Sequence, residues 1–337
     1  MTDPPNIEAR TKAEAARLGF SLCGIAPATE ADGFGRFCDW LAAGYAGGMR
    51  YLHDHREQRR HPAGVVEGVR SVVMLGLEYG GGPGPVARYA RGPDYHRFIW
   101  DRENELSAWL DGQLPGAYSH GVCDTAPLLE RDFARRAGLG WIGKNTMLIN
   151  KRRGSMVLLG AVLTTAVLRP DPPHEASHCG TCTACLDACP TNAFVSPGVL
   201  DARKCVSYLT IELAGPIPDD LKPGVGDHLF GCDVCQEVCP WVRHAGPPAA
   251  PLPVRDDLVA LDALGVLTLS PAEFRRRFKS TALWRAKRSG LRRNACVVLG
   301  NAGDRRAVPA LETALADDDA GVRDAAAWAV QRLAASK

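Results

Sequence analysis

The chain has 337 residues, 46% hydrophobic and 23% charged, with a net charge of +2. That is the composition of a globular protein of two or three domains, and its near-neutral charge does not by itself mark a nucleic-acid binder. No apolar run is long enough to span a bilayer and the first twenty residues carry no continuous apolar segment, so a cytoplasmic protein without a membrane partner is expected.

Up to about residue 170, helical stretches such as IEARTKAEAARLG alternate with the aliphatic runs SVVMLGLEY and SMVLLGAVLTTAVL, which read as strands of a sheet covered by helices. His53, His55 and His61 lie among arginines and read as a solvated basic face. His96, beside Asp94 and Tyr95 in RYARGPDYHRFI, reads as a surface or groove residue before a metal ligand.

In HGVCDTAPLLERDF, Asp124 is expected directly before a helix with Pro127 in its first turn. Two roles suit it there. One is an N-cap satisfying free helix N–H groups. The other is a proton donor, which requires a buried acid with a raised pKa. The next run, GLGWIGKN, falls one residue short of a phosphate-binding loop. Its order is helix, glycine, strand rather than strand, loop, helix, and Asn145 lacks the required hydroxyl, so nucleotide binding is rejected.

After the Pro-rich break RPDPPHEASH, eight of the twelve cysteines fall between Cys179 and Cys239. In a chain without a secretory signal this favours metal or catalysis over disulfides. Cys179, Cys182, Cys185 and Cys189 form the ferredoxin run C-x2-C-x2-C-x3-C-P. Cys232, Cys235 and Cys239 repeat its last three positions, with Leu229 where the first belongs. Cys205 is the remaining thiol of the region. With ligands exchanged between runs, Cys179, Cys182, Cys185 and Cys239 would hold one 4Fe-4S cluster, and Cys189, Cys205, Cys232 and Cys235 the other. Zinc knuckles are the alternative use of such pairs. Cys23, Cys38, Cys123 and Cys296 read as small core hydrophobes.

Beyond a second break, GPPAAPLPVRDD, residues 274 to 293 hold nine Lys or Arg and no acid, interleaved with Phe278 and Trp284. Such a run suits RNA phosphates and bases as well as a solvated face. The tail then repeats: RRNACVVLGNAG and VRDAAAWAVQRL stand 30 residues apart around VPALETALAD, a pattern of HEAT-type helix pairs too few to stand alone. The tail should therefore pack on what precedes it.

Read together, RYARGPDYHRF, CDTAPLLERDFARRAGLGWIGKNTMLIN, CGTCTACLDACPTNAF, ARKCVSYLTIE, GCDVCQEVCPW and the terminal repeats resemble the epoxyqueuosine reductases, over most of the chain. The resemblance implies an α+β architecture: a cobalamin-binding, nitroreductase-like α/β domain (1–170), related to reductive dehalogenases, a bacterial dicluster ferredoxin-like domain (171–245), and a linker with a HEAT-like tRNA-binding domain (246–337). It implies reduction of epoxyqueuosine to queuosine at the tRNA wobble position, with two 4Fe-4S clusters and cobalamin as cofactors, an external electron donor, and a monomer. Asp124 is the implied proton donor; Tyr95, His96, Asp124, Asn145, Ser155 and Ser207 are implied at the corrin pocket. Arg131 and, in the basic stretch, Arg276, Arg277 and Arg288 are expected on tRNA phosphates. The competing readings are a reductase of a small molecule, an electron-carrying ferredoxin subunit and a structural zinc protein.

Overall fold

Four strands form one antiparallel sheet: β1 (Leu22–Pro27), β2 (Ser71–Glu78), β3 (Ser119–Val122) and β6 (Val157–Thr164), in the order β1-β2-β6-β3. Between β3 and β6 lies a two-stranded ladder of β4 (Trp141–Ile142) and β5 (Leu148–Ile149). The structure, a computed structural model, describes residues 6–248 and 252–335, so the outermost limits of the expected domains, 1 and 337, and part of the second Pro-rich break lie outside it.

All eight residues of β2 are buried, because both faces of the sheet are covered. Successive side chains point to opposite faces. Val73, Leu75 and Leu77 meet the Ile7–Arg17 and Tyr95–Gln113 helices through Ala15, Leu18, Ile99, Leu106 and Leu110. Val72 and Met74 meet Phe34, Phe133 and Ala134 on the other side. Each fully buried Leu, Val or Met side chain contributes about 1.5–3 kcal/mol relative to exposure.

The Tyr95–Gln113 helix is set close to the sheet by two glycines. A Cβ at Gly121 would stand 2.5 Å from Glu103 Cβ, and one at Gly160 would stand 2.1 Å from Glu103 Oε1. Burial pushes the Glu103 carboxyl up to about 9, with the charge of Glu130 adding to it, so it packs as the neutral acid at pH 7. This approach fixes the helix start, where the Asp94 side chain accepts the His96 N–H, against the segment leaving β3.

One expected element differs. Residues 123–129 form no helix, with bends at 124–127, and the helix begins only at Glu130 (Glu130–Arg136), with Leu129 as its N-cap. Asp124 has φ +55°, in the left-handed region, so it caps no helix and Pro127 lies outside the first turn. The helix end does follow expectation: Gly138, φ +75°, comes directly after the Ala137 cap.

The tail helices Lys287–Ala302, Val308–Ala314 and Ala320–Ala335 stack on one another and share one core with the cysteine region, joining Leu291, Ala295 and Leu311 to Leu209, Leu229 and Phe230. Two buried polar side chains tie the two parts. Asn294 Nδ2 donates to the carbonyls of Thr210 (2.8 Å) and Leu229 (2.9 Å). Arg293 donates to those of Leu209, Leu213 and Gly215. Leu229, standing where the second run lacks a cysteine, is fully buried in this core. Among the described residues no helix is long and apolar enough to cross a membrane.

Candidate active site

The eight thiols of the cysteine region line two cavities. Cys179, Cys182, Cys185 and Cys239 line one of about 340 Å³. Cys189, Cys205, Cys232 and Cys235 line another of about 400 Å³. The last thiol of each run stands in the cavity lined by the other run. Short helical turns, Ala184–Asp187 and Val234–Glu237, carry one thiol each, and the chain then swings Cys189 and Cys239 ahead of Pro190 and Pro240 into the other run's cavity. Cys205 enters as the residue preceding the Val206–Ile211 helix.

Asn145, 2% exposed, lines both cavities and donates from Nδ2 to the Cys235 carbonyl at 3.2 Å. Trp141 Nε1 donates to the Cys179 sulfur at 3.5 Å. Burial pushes the Cys232 thiol up to about 12 and the Cys235 thiol well above its usual range, with neighbouring thiols adding to both. Four thiolates therefore coexist here only around a multivalent cationic group. Each set of four thiols rings a cavity rather than a single point. Soft thiol donors in that arrangement fit an iron-sulfur cubane better than a lone zinc ion.

The larger cavity also holds Asp124, Glu130 and Arg131. Asp124 Oδ2 accepts from Tyr95 Oη at 2.7 Å and pairs with His96 Nε2 at 3.0 Å, while His96 Nδ1 pairs with Asp94 Oδ1 at 2.7 Å. Burial raises the Asp124 carboxyl, but the hydrogen bonds from His96 and Tyr95 outweigh it and hold the group below the ordinary carboxylate range. The raised pKa expected of a proton donor is thus not found. Burial alone would lower the His96 ring; the bonds to Asp124 and Asp94 outweigh it and push it up to about 9. At neutral pH the pair is imidazolium and carboxylate, and the transferable proton rests on His96.

Glu130 was not singled out in the sequence, where it reads as an ordinary first-turn acid. Its Oε1 accepts the Asp124 main-chain N–H at 2.7 Å and so braces the left-handed residue. Burial and then the charge of Asp124 push Glu130 up to about 7.

The other expected residues divide. Tyr95, Asn145, Ser155 and Ser207 line the Asp124 cavity, Ser155 donating to Gln236 Oε1 at 2.9 Å and Ser207 reaching the Cys232 carbonyl at 3.5 Å. Arg131 also faces this cavity and donates to the Thr146 carbonyl at 2.7 Å. Arg276 is exposed, Arg277 stands 3.8 Å from Asp257, and Arg288 donates to the Leu269 carbonyl at 2.7 Å. None of these last three lines either cavity.

A helix-covered sheet carrying an acid at its edge, joined to two four-thiol cavities and a helical-repeat tail, defines a redox enzyme of the iron-sulfur class. Residues 178–242 match the model of the 4Fe-4S double cluster binding domain, residues 59–125 that of "Epoxyqueuosine reductase QueG, DUF1730", and residues 281–337 that of HEAT repeats. The epoxyqueuosine reductase of Gloeobacter violaceus is 44% identical over 318 residues, 88% of this chain and 97% of that protein. That of Xanthomonas campestris pv. campestris is 38% identical over 344 residues, 97% of this chain and 96% of that one. The crystal structure of an epoxyqueuosine reductase with an epoxyqueuosine-modified tRNA-Tyr stem loop has a TM-score of 0.89 at 28% identity, covering 97% of this chain and 90% of that chain. The chain belongs to the epoxyqueuosine reductase family.

Proposed function

We propose that this protein reduces epoxyqueuosine to queuosine at the wobble position of tRNA, the last step of queuosine formation. The observation that carries the reading is that Asp124 shares one cavity with Cys189, Cys205, Cys232 and Cys235, so acid chemistry and electron delivery meet in a single chamber. Removing the epoxide oxygen consumes two electrons and two protons and yields an alkene and water.

Cys179, Cys182, Cys185 and Cys239 would hold one 4Fe-4S cluster and Cys189, Cys205, Cys232 and Cys235 the other. Cobalamin fits the larger cavity in kind: Leu148, Val157, Leu158, Leu159 and Ile211 offer an apolar wall for a flat macrocycle, and Tyr95, Asn145, Ser155 and Ser207 supply hydrogen-bonding groups around it. When bound, these groups supply single-electron transfer and a strongly reducing centre able to act on carbon. In the proposed division of the chain, residues 1–170 house the reaction, 171–245 the clusters, and 246–337 the tRNA contacts.

The chain's own residues handle orientation and protons. Asp124 passes both protons in turn to the departing oxygen, drawing each from the His96 imidazolium, which solvent recharges between them; Asp94 holds that ring in line, and Tyr95 steadies the same carboxylate oxygen. Glu130 fixes the Asp124 main chain. Asn145, set between the cavities, fixes their spacing. Electrons enter from an external donor on the side of the exposed Cys182, and the protein works as a monomer on a tRNA anticodon stem-loop. Arg131 at the cavity, and Arg276, Arg277 and Arg288 on the tail, are the proposed phosphate contacts.

The test is turnover of epoxyqueuosine-containing tRNA by anaerobically reconstituted protein supplied with cobalamin and a low-potential reductant. Conversion to queuosine is expected. Reduced clusters without conversion would overturn the reading.

A further inference from the structure

Two large aromatic side chains stand partly in solvent at the rim of the Asp124 cavity. Trp100 is 39% exposed and Tyr51 40%. Trp100 lies one helical turn beyond His96, with ring centroids 5.9 Å apart, and His96 is itself bonded to Asp124. Tyr51 comes from a separate element, the short Arg50–Asp54 helix. The Arg285 guanidinium lies 5.6 Å from its ring centroid and is held by two hydrogen bonds to Glu212, at 2.7 and 3.0 Å. Glu212 caps the Val206–Ile211 helix directly after Ile211 of the cavity wall, so Tyr51 and Arg285 stand at the rim of the same cavity.

Single exposed aromatics are ordinary on a protein surface and need no explanation. Here two of them, from separate helices, stand at the rim of one cavity, and a positioned cation accompanies one ring. That pairing of open π-faces with a guanidinium is how single-stranded RNA is gripped. Unpaired bases stack on aromatic rings whatever their identity, while the cation meets the backbone. A wobble nucleotide can reach the cavity only if its loop neighbours are unstacked from it, and the freed bases then require new partners.

Resting on the tRNA reading above, we propose that Trp100 and Tyr51 are stacking platforms for the unpaired anticodon-loop bases flanking the nucleotide that enters the Asp124 cavity. They hold the loop open beside the site and take no part in proton or electron transfer.

The test uses the full chain with its clusters and an epoxyqueuosine-containing anticodon stem-loop RNA. Trp100→Ala and Tyr51→Ala should each weaken binding roughly 10- to 100-fold. The slope of log K against log salt should stay at the wild-type value, because neither ring neutralises a phosphate. Trp100→Phe and Tyr51→Phe should recover most of the affinity. In the unaltered protein, 2-aminopurine placed beside the modified nucleotide should change its emission on binding, a readout independent of whether a variant folds. Equal affinity in the alanine variants, weaker binding accompanied by a flatter salt slope, or no 2-aminopurine response would overturn the proposal. If the unaltered protein fails to bind the stem-loop at all, the tRNA reading itself fails.

Discussion

His96 Nε2 stands 3.0 Å from Asp124 Oδ2. The pair makes the resting acid a carboxylate and its neighbour the proton store, which fixes the alkaline limit of the reaction. The His96 pKa is raised from its usual 6.5 to about 9 by Asp124 and Asp94 against the opposing effect of burial. The proton is therefore held through neutrality and lost as pH rises through about 9. The accompanying stabilisation of the fold is complete below 6.5 and fades over the same interval, and it is modest because the Asp124 side chain keeps 58% of its surface in solvent. A pH–rate profile should be flat near pH 7 and fall above about 9. His96→Asn should abolish that limb and lower kcat by about 10² or more.

Asp124→Asn keeps the shape of the side chain and removes its proton transfer. Turnover should fall by about 10²–10⁴, with the visible absorption of the clusters unchanged. Wild-type turnover in this variant would assign the proton step to another group.

Cys205 is the thiol that neither cysteine run supplies. Cys205→Ser should lose the cluster of the Asp124 cavity, lowering iron per chain by about half, while the set with Cys179 and Cys239 stays loaded. Iron analysis and electron paramagnetic resonance of the reduced protein check this. Undiminished iron with both signals unaltered would remove Cys205 from the ligand set.

Glu130 braces Asp124 through one main-chain hydrogen bond. Glu130→Gln retains an acceptor at that position and should keep most of kcat, whereas Glu130→Ala frees the left-handed residue and should cost about 1–3 kcal/mol in kcat/KM. Equal kinetics for the two variants would show that the bond does not position the acid.

The basic stretch holds arginines with and without a structural bond. Arg276→Ala with Arg277→Ala should lower tRNA affinity and reduce the salt slope by about one for each phosphate no longer neutralised. Arg288→Ala should lower affinity and slope in the same way and also lower the melting temperature, because its Nε donates to the Leu269 carbonyl. Binding titrations across salt, run beside thermal melts, check both.

What the sequence discloses here depends on how local the chemistry is. Thiol spacing is local, so the eight thiols and their expected exchange between runs could be read from it, and the structure groups the same residues around its two cavities. The strands and terminal repeats were legible from their periodicity. Asp124 could be singled out but not its setting, because that comes from Tyr95 and His96 in a distant helix and from a left-handed backbone that no pattern signals. Glu130 looked like helix-start charge, and its deciding partner is a backbone group brought in by the fold.

The bonds from Asn294 to the carbonyls of Thr210 and Leu229 bear on how this molecule can be dissected. They fasten the repeat helices to the backbone beside Cys205 and Cys232. The tail is accordingly a scaffold for the second thiol set as much as the proposed handle for tRNA. A truncated protein would bleach before it revealed anything about substrate grip, and grafting the repeats onto another enzyme would carry over a surface without its anchorage.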